Sequence, residues 1–474
     1  MKRSLFAIAI SILFFSGFCL AAALGSSQHR KIIIVSPRAL NDAVAVLERT
    51  IHCAITFEDA PYYNDSRSEP LWAGAPRMAK ERKFVFEYDQ QEDTLKIIKS
   101  LLATYYKIDA SAVFTVLKDD GQPPRFHIYP VKAMAKDGRM LPYKSRFLSA
   151  QTFQLISGEA LDVSLARLCK QLSTSNEEVV CSGRILSPQC ERDVTLLATN
   201  GLSCMEQTLQ YYDRSPSGLT LSWSIRRGPK MEKLNDFCVL SLRQMQSEQT
   251  LMQDGTNDVY VLVEAARPLS EALRILDKMI DCNVVYEDIE YKCSCDTLGD
   301  KDGHLQVPRG GIVDFSFSSK ADSCQVVSDC VNAYNYGQNK VNEERINAGE
   351  YSIECRNTGP TILVSPSHSK DKTGTMQRAE PLLATQVSFV SSNKSVMSIL
   401  QELSSAVTAA TGKKIVVGNV PDMEAVLPSF TAKGSAGEAL SDLMQRVSPR
   451  FSCYLIFEPK DQLFRLDVYK RPGK

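Results

Sequence analysis

Histidine is scarce in this sequence and charge of either sign is in no surplus, and both shortages narrow what the chain can do. Lys+Arg and Asp+Glu number 55 each in 474 residues, so no net field draws the protein to a phosphate backbone or an anionic membrane. Nucleic acid is not an expected partner. The five histidines, His29, His52, His127, His304 and His368, stand far apart, and none has the HExxH spacing that places two imidazoles on one helix face. No CxxC pair occurs, and Cys293-Ser-Cys295 is too tight for the usual zinc knuckle. Gly434-Ser435-Ala436-Gly437 is too short for a nucleophile elbow, and Val407 stands where a phosphate loop ending in Gly412-Lys413 needs glycine. The expectation is no metal, no cofactor and no catalytic centre.

Acidic groups give the closest approach to chemistry. Glu58 with Asp59 and Glu287 with Asp288 are neighbours at strand ends, and neighbours on a strand point to opposite faces, so neither pair converges on one substrate atom. Both pairs read as solvated strand ends. In DTLGDKDGH, aligning Asp300, Asp302 and Gly303 to a calcium loop puts Leu298 and Arg309 where its first and last carboxylates belong. That stretch reads as a solvated turn.

What is present begins with a leader. Lys2 and Arg3, an apolar run from Leu5, and Ala21, Ala22 and Ala23 follow the plan of a secretory signal peptide cleaved after Ala23 or Gly25, so residues 1–25 are set aside from the fold. The competing expectation is an uncleaved membrane anchor, since Leu5 to Leu24 is about long enough to cross a bilayer. No later stretch is long and apolar enough, so no span is expected after cleavage. Export gives disulfides meaning: Cys19 leaves with the leader and 13 of the 14 cysteines remain. Their connectivity is not legible from spacing; Cys181 with Cys190, closing the loop SGRILSPQ, is the favoured single pair.

The strongest signal is internal repetition. RALNDAVAVLERTIHCAITFED, from Arg38, returns as RPLSEALRILDKMIDCNVVYED, from Arg267, an offset of 229 residues. Leu40, Val44, Leu47 and Ile51 recur as Leu269, Leu273, Leu276 and Ile280, one helical stripe, followed by short β-branched runs. The offset persists through KFVFEYD and IVDFSFS, and through a second helix in which Leu95, Ile98, Leu102 and Tyr105 match Cys324, Val327, Val331 and Tyr334. Weaker copies begin at Thr152 and Gln386. The fold class predicted is α+β: tandem β-α-β-β-α-β-β modules at residues 31–131, 150–244, 258–367 and 384–472, two duplicated pairs. Polar linkers are expected at 132–144, 246–258 and 365–381.

This pattern resembles the short N-terminal (STN) domain shared by secretins and TonB-dependent receptors, and exported bacterial proteins built only of such modules. The resemblance covers nearly all of the chain after the leader, and it is one of apolar positions. It implies a periplasmic or secreted protein that contacts other envelope proteins. Neither an outer-membrane barrel nor a secretin channel follows, so transport is not implied, and no functional residue is carried over. The expected function is a non-catalytic protein-interaction module, against two alternatives: a secreted hydrolase with a site between modules, or a small-ligand binder in an inter-module crevice. Tyr62, Tyr63 and Trp72, in the loop APYYNDSRSEPLWAGAP, are the candidate contact residues. Trp223 is expected in the core, and Cys53 and Cys282 as matching buried thiols.

Overall fold

A computed structural model describes residues 29–61, 68–70, 77–79, 81–119, 124–149, 152–173, 177–182, 192–196, 200–213, 221–227, 236–244, 257–299, 306–337, 347–355, 361–421, 424–448 and 451–471. The first half runs β1 (His29–Ser36), α1 (Ala39–Ile51), β2 (Ile55–Glu58), β3 (Ser68–Pro70), β4 (Arg77–Ala79), β5 (Arg82–Asp89), α2 (Thr94–Tyr106), β6 (Ala112–Asp119), β7 (Arg125–Met134), β8 (Met140–Pro142), β9 (Phe153–Leu155), α3 (Leu161–Leu172), β10 (Glu177–Ser182), β11 (Val194–Leu196), α4 (Gly201–Asp213), β12 (Leu221–Arg227) and β13 (Asp236–Gln244). The second runs β14 (Val259–Ala265), α5 (Pro268–Leu276), β15 (Asn283–Glu287), β16 (Thr297–Gly299), β17 (Gln306–Pro308), β18 (Gly311–Phe317), α6 (Ser323–Gly337), β19 (Gly349–Cys355), β20 (Thr361–Lys370), β21 (Met376–Arg378), β22 (Gln386–Ser395), α7 (Val396–Thr411), β23 (Ile415–Val417), β24 (Val426–Ser435), α8 (Ala436–Val447), β25 (Phe451–Glu458) and β26 (Leu463–Lys470). The fold is mixed α+β, with eight α-helices among the described residues and several sheets that mix parallel and antiparallel pairs. None of those helices is long and apolar enough to cross a membrane.

Strand order repeats between the halves. One seven-stranded sheet runs β10-β13-β12-β2-β7-β6 with β8 on β7, and the other runs β23-β26-β25-β15-β20-β19 with β21 on β20. The halves meet in a four-stranded sheet, β18-β14-β1-β5, whose central pair is parallel from Lys31 opposite Val259 to Val35 opposite Val263. Ile32, Ile34 and Leu262 enter the core of α1 and α2, whereas Ile33, Val35, Val261 and Val263 enter the core of α5 and α6. Helices cover this sheet on both faces, which is why KIIIVS and VYVLVE read as nearly continuous apolar runs. Alternation survives in β5, where Phe84, Phe86 and Tyr88 are buried between more exposed neighbours.

Among the described residues the buried hydrophobics gather into four clusters, centred on α1 and α2, α3 and α4, α5 and α6, and α7 and α8. Trp223 is fully buried in the second of these, as its strand position predicts. Local signals start the helices: Asp93 caps α2, Ser395 caps α7, Pro268 opens α5, and Ser435 with Glu438 forms a capping box on α8.

Three expectations need correction. The helix stripe ending at Ile280 is cut short: α5 ends at Leu276, the buried Asp277 carboxylate accepts from Ser452 Oγ at 2.5 Å, and Ile280 packs from the following turn. In α2 the core face is Ile97, Ile98, Leu101 and Tyr105; Leu95 and Leu102 are only half-buried. The linkers expected at 132–144 and 365–381 contain the hairpins β7–β8 and β20–β21, turned at Gly138 and Gly374, whose φ values of 83° and 87° suit glycine.

Outside the large sheets, β22 and β24 form a two-stranded ribbon. Val387 and Phe430 face the core of α7 and α8, while Ser388, Ser392, Thr431 and Lys433 on the opposite face are exposed.

Candidate functional site: module junctions and an open strand edge

The paired acids are not solvated, contrary to expectation. Glu58 is fully buried at the end of β2, where Oε1 accepts from Tyr143 Oη and Arg227 Nη2, each at 3.2 Å, and Oε2 accepts from Ser145 Oγ. Arg227, ending β12, also donates to the Asp59 carbonyl. Burial pushes the Glu58 carboxyl above its ordinary value, and the Arg227 guanidinium opposes that rise.

In the second half Glu287 Oε1 and Oε2 accept from the backbone N–H groups of Leu382 and Leu383, each at 2.8 Å. These open the 3₁₀ turn Leu382–Ala384, as Arg146–Leu148 forms a turn beside Glu58 and Ser145. Burial pushes Glu287 up to about 7, opposed by those two N–H groups. Asp288 is paired with Arg267 Nε at 3.0 Å and accepts from Tyr286 Oη at 3.0 Å; burial raises it too, opposed by Arg267. Both acid pairs thus secure the crossing between neighbouring cores. Sequence missed this because the partners, Arg227 and Arg267, stand 168 residues after Asp59 and 21 residues before Asp288.

A second polar cluster sits in the first half. Arg125 Nη1 pairs with Glu206 Oε2 at 2.9 Å, Glu206 Oε1 accepts from Trp223 Nε1 at 3.0 Å, and all three side chains are buried. Beside them His127 Nδ1 bonds Thr56 Oγ1 at 2.9 Å, and its Nε2 has no partner. Burial pushes this imidazole down to about 3, so it is neutral. A cavity of about 160 Å³ is lined by Thr56, Lys118, Arg125, His127, Asn200 and Glu206. In the parallel pairing of β15 with β20 the places of Thr56 and His127 fall to Val285 and Leu363, so the other half is apolar there.

Two grooves are open to the surface. One, of about 420 Å³, lies between the C-terminal turns of α2 and strand β6; the other, of about 830 Å³, lies between α7 and the end of β22 and is lined by Phe389, Val390, Lys394 and Glu402.

Tyr62, Tyr63 and Trp72 lie outside the described residues, as does Cys190. Cys181, on β10, is a half-buried free thiol whose neighbour is Cys169. Cys282 is buried, whereas its counterpart Cys53 is only half-buried. The two disulfides among the described residues are Cys293–Cys295 and Cys324–Cys355. No family model matches this chain, and no curated protein or solved structure does so either.

Proposed function

We propose that the protein is a non-catalytic interaction protein of the bacterial cell envelope, periplasmic or secreted, built of four STN-like modules in two duplicated pairs. The two matching strand orders and the four separate cores support the modular reading. The observation that carries the functional reading is the way modules meet. β12 lies on β2, β25 on β15, and β1 on β14, each a parallel pairing of strand edges. Edge addition is also how such sheets take up segments of other proteins.

The cavity beside His127 supports a second reading, a small-ligand binder, because the unpartnered Nε2 is a buried polar atom at its wall. A hydrolase is less well supported: both oxygens of Glu206 are engaged, and about 160 Å³ does not admit a polymer. A pull-down of the tagged mature protein from envelope extract tests the first reading. Stoichiometric recovery of an envelope protein supports it; recovery of the protein alone, with turnover of a glycan or peptide polymer, overturns it.

A further inference from the structure

Strand β6 ends its sheet, and its only strand partner among the described residues is β7. The groove beside it is lined by five consecutive strand residues, Ala112 to Val116. Side chains on a strand alternate between faces, so a wall made of consecutive residues is the edge itself, with its outward N–H and C=O groups. Leu102 and Tyr106 of α2 form the opposite wall. Tyr106, Ile108 and Leu117 are 47%, 43% and 43% exposed, which leaves an apolar margin along the edge.

The second half shows the same edge closed. Asn335, 229 residues after Tyr106, is buried; its Nδ2 donates to the Tyr351 carbonyl at 2.8 Å, and its Oδ1 accepts from the Tyr351 N–H at 3.0 Å. A neighbouring strand would make that pair of bonds with its own peptide groups. The Cys324–Cys355 disulfide ties the start of α6 to the end of β19 across the same gap. Phe114 holds in β6 the place of Tyr351 in β19, since each faces a proline, Pro130 or Pro366, just past a register shift. Where Asn335 supplies a carboxamide, α2 supplies the exposed phenol of Tyr106.

We propose that β6 receives an extended segment of a partner protein, added as a further strand, with apolar side chains alternating with acidic ones. The carboxamide bound to Tyr351 shows that the corresponding edge of β19 takes a peptide-like group. Apolar residues of the segment would enter the groove against Leu102 and Tyr106. Acidic character follows from charge: Lys99 and Lys107 line the groove, and no carboxylate does. Five residues of open edge correspond to a segment of about 17 Å.

This rests on the interaction reading above, and a direct titration separates the two. A fluorescein-labelled heptapeptide alternating Glu and Val is titrated into the full mature chain and followed by anisotropy, beside a Lys–Val counterpart. The Glu–Val peptide is expected to bind saturably, at least tenfold tighter than the Lys–Val peptide. Tyr106→Asn, which supplies the carboxamide of the closed edge, should weaken it at least tenfold, with the circular dichroism and melting curve unchanged. Lys99→Glu with Lys107→Glu should reverse the preference between peptides. Absent binding, equal binding of the two peptides, or a Tyr106→Asn chain that binds as well as wild type overturns the proposal. If Tyr106→Asn still captures the same envelope protein in the pull-down, interaction stands as the function and β6 is not its site.

Discussion

Raising the pH from 5 to 8 should lower the contribution of Glu287 to folding stability by roughly 2–3 kcal/mol. Its carboxyl sits near pKa 7 in the folded chain because burial opposes ionisation, against the ordinary 4.5 of an exposed glutamate. Between those values the folded state holds a proton that the unfolded state has released, so stability falls as pH rises through that window. The loss follows from integrating the two titrations from pH 5 to pH 8, with each tenfold difference in proton affinity worth about 1.4 kcal/mol. Asp277, pushed up to about 6 by burial, adds a smaller change of the same sign. Glu287→Gln isolates the first contribution. One of its amide hydrogens must face a backbone N–H, so the variant loses about 1–3 kcal/mol at every pH, but its stability should vary less with pH than that of wild type. Urea unfolding of both chains at pH 5, 6, 7 and 8, followed by far-ultraviolet circular dichroism, measures the difference. Both tryptophans lie in the first half, so indole fluorescence should report a transition that Glu287→Gln leaves in place. Superimposable pH profiles for wild type and Glu287→Gln would refute the reasoning.

Further outcomes are expected elsewhere. Arg227→Leu leaves Glu58 buried without its cation and should cost about 3–5 kcal/mol in the transition followed by indole fluorescence; a loss below about 1 kcal/mol contradicts the pairing described. His127 should stay neutral on acidification, its ring carbon resonances unmoved from pH 8 to pH 5. Because the unfolded imidazole titrates near 6.5 and the folded one near 3, that residue's contribution to stability should be lost as pH falls below 6.5, and His127→Leu should abolish this part of the pH dependence. Ile33→Asp sets a charge, at a site 3% exposed, against the core of α5 and α6, and should part the halves; an unchanged radius of gyration by X-ray scattering rejects the role given to the β1–β14 pairing.

Much of the fold was legible in the residues because the apolar rhythm is strong. Leu40, Val44 and Leu47 face a core, as do Leu269, Leu273 and Leu276, where the spacing places them. Ile51 closes α1 and packs against its core as well, whereas Ile280 misled, since a stripe in sequence does not say where the helix ends. The linkers misled for a related reason: polar turn residues serve a hairpin as well as a tether. The acid pairs were found but given the wrong surroundings, since Glu58 and Asp288 are paired with arginines brought in by other elements, Arg227 from β12 and Arg267 from the start of α5. The open edge of β6 had only a faint trace, the extra apolar residues Leu102 and Tyr106 beside an already complete helix face.

The ribbon of β22 and β24 differs from the sheet between the halves in what lies behind it. Ile33 and Val35 give β1 an oily reverse side packed against a second core, whereas Ser388, Ser392, Thr431 and Lys433 surround the exposed Val390 on the outer side of the ribbon. To meet another core as β1 does, the ribbon would have to strip water from those hydroxyls and from an ammonium group, a cost that β1 never meets.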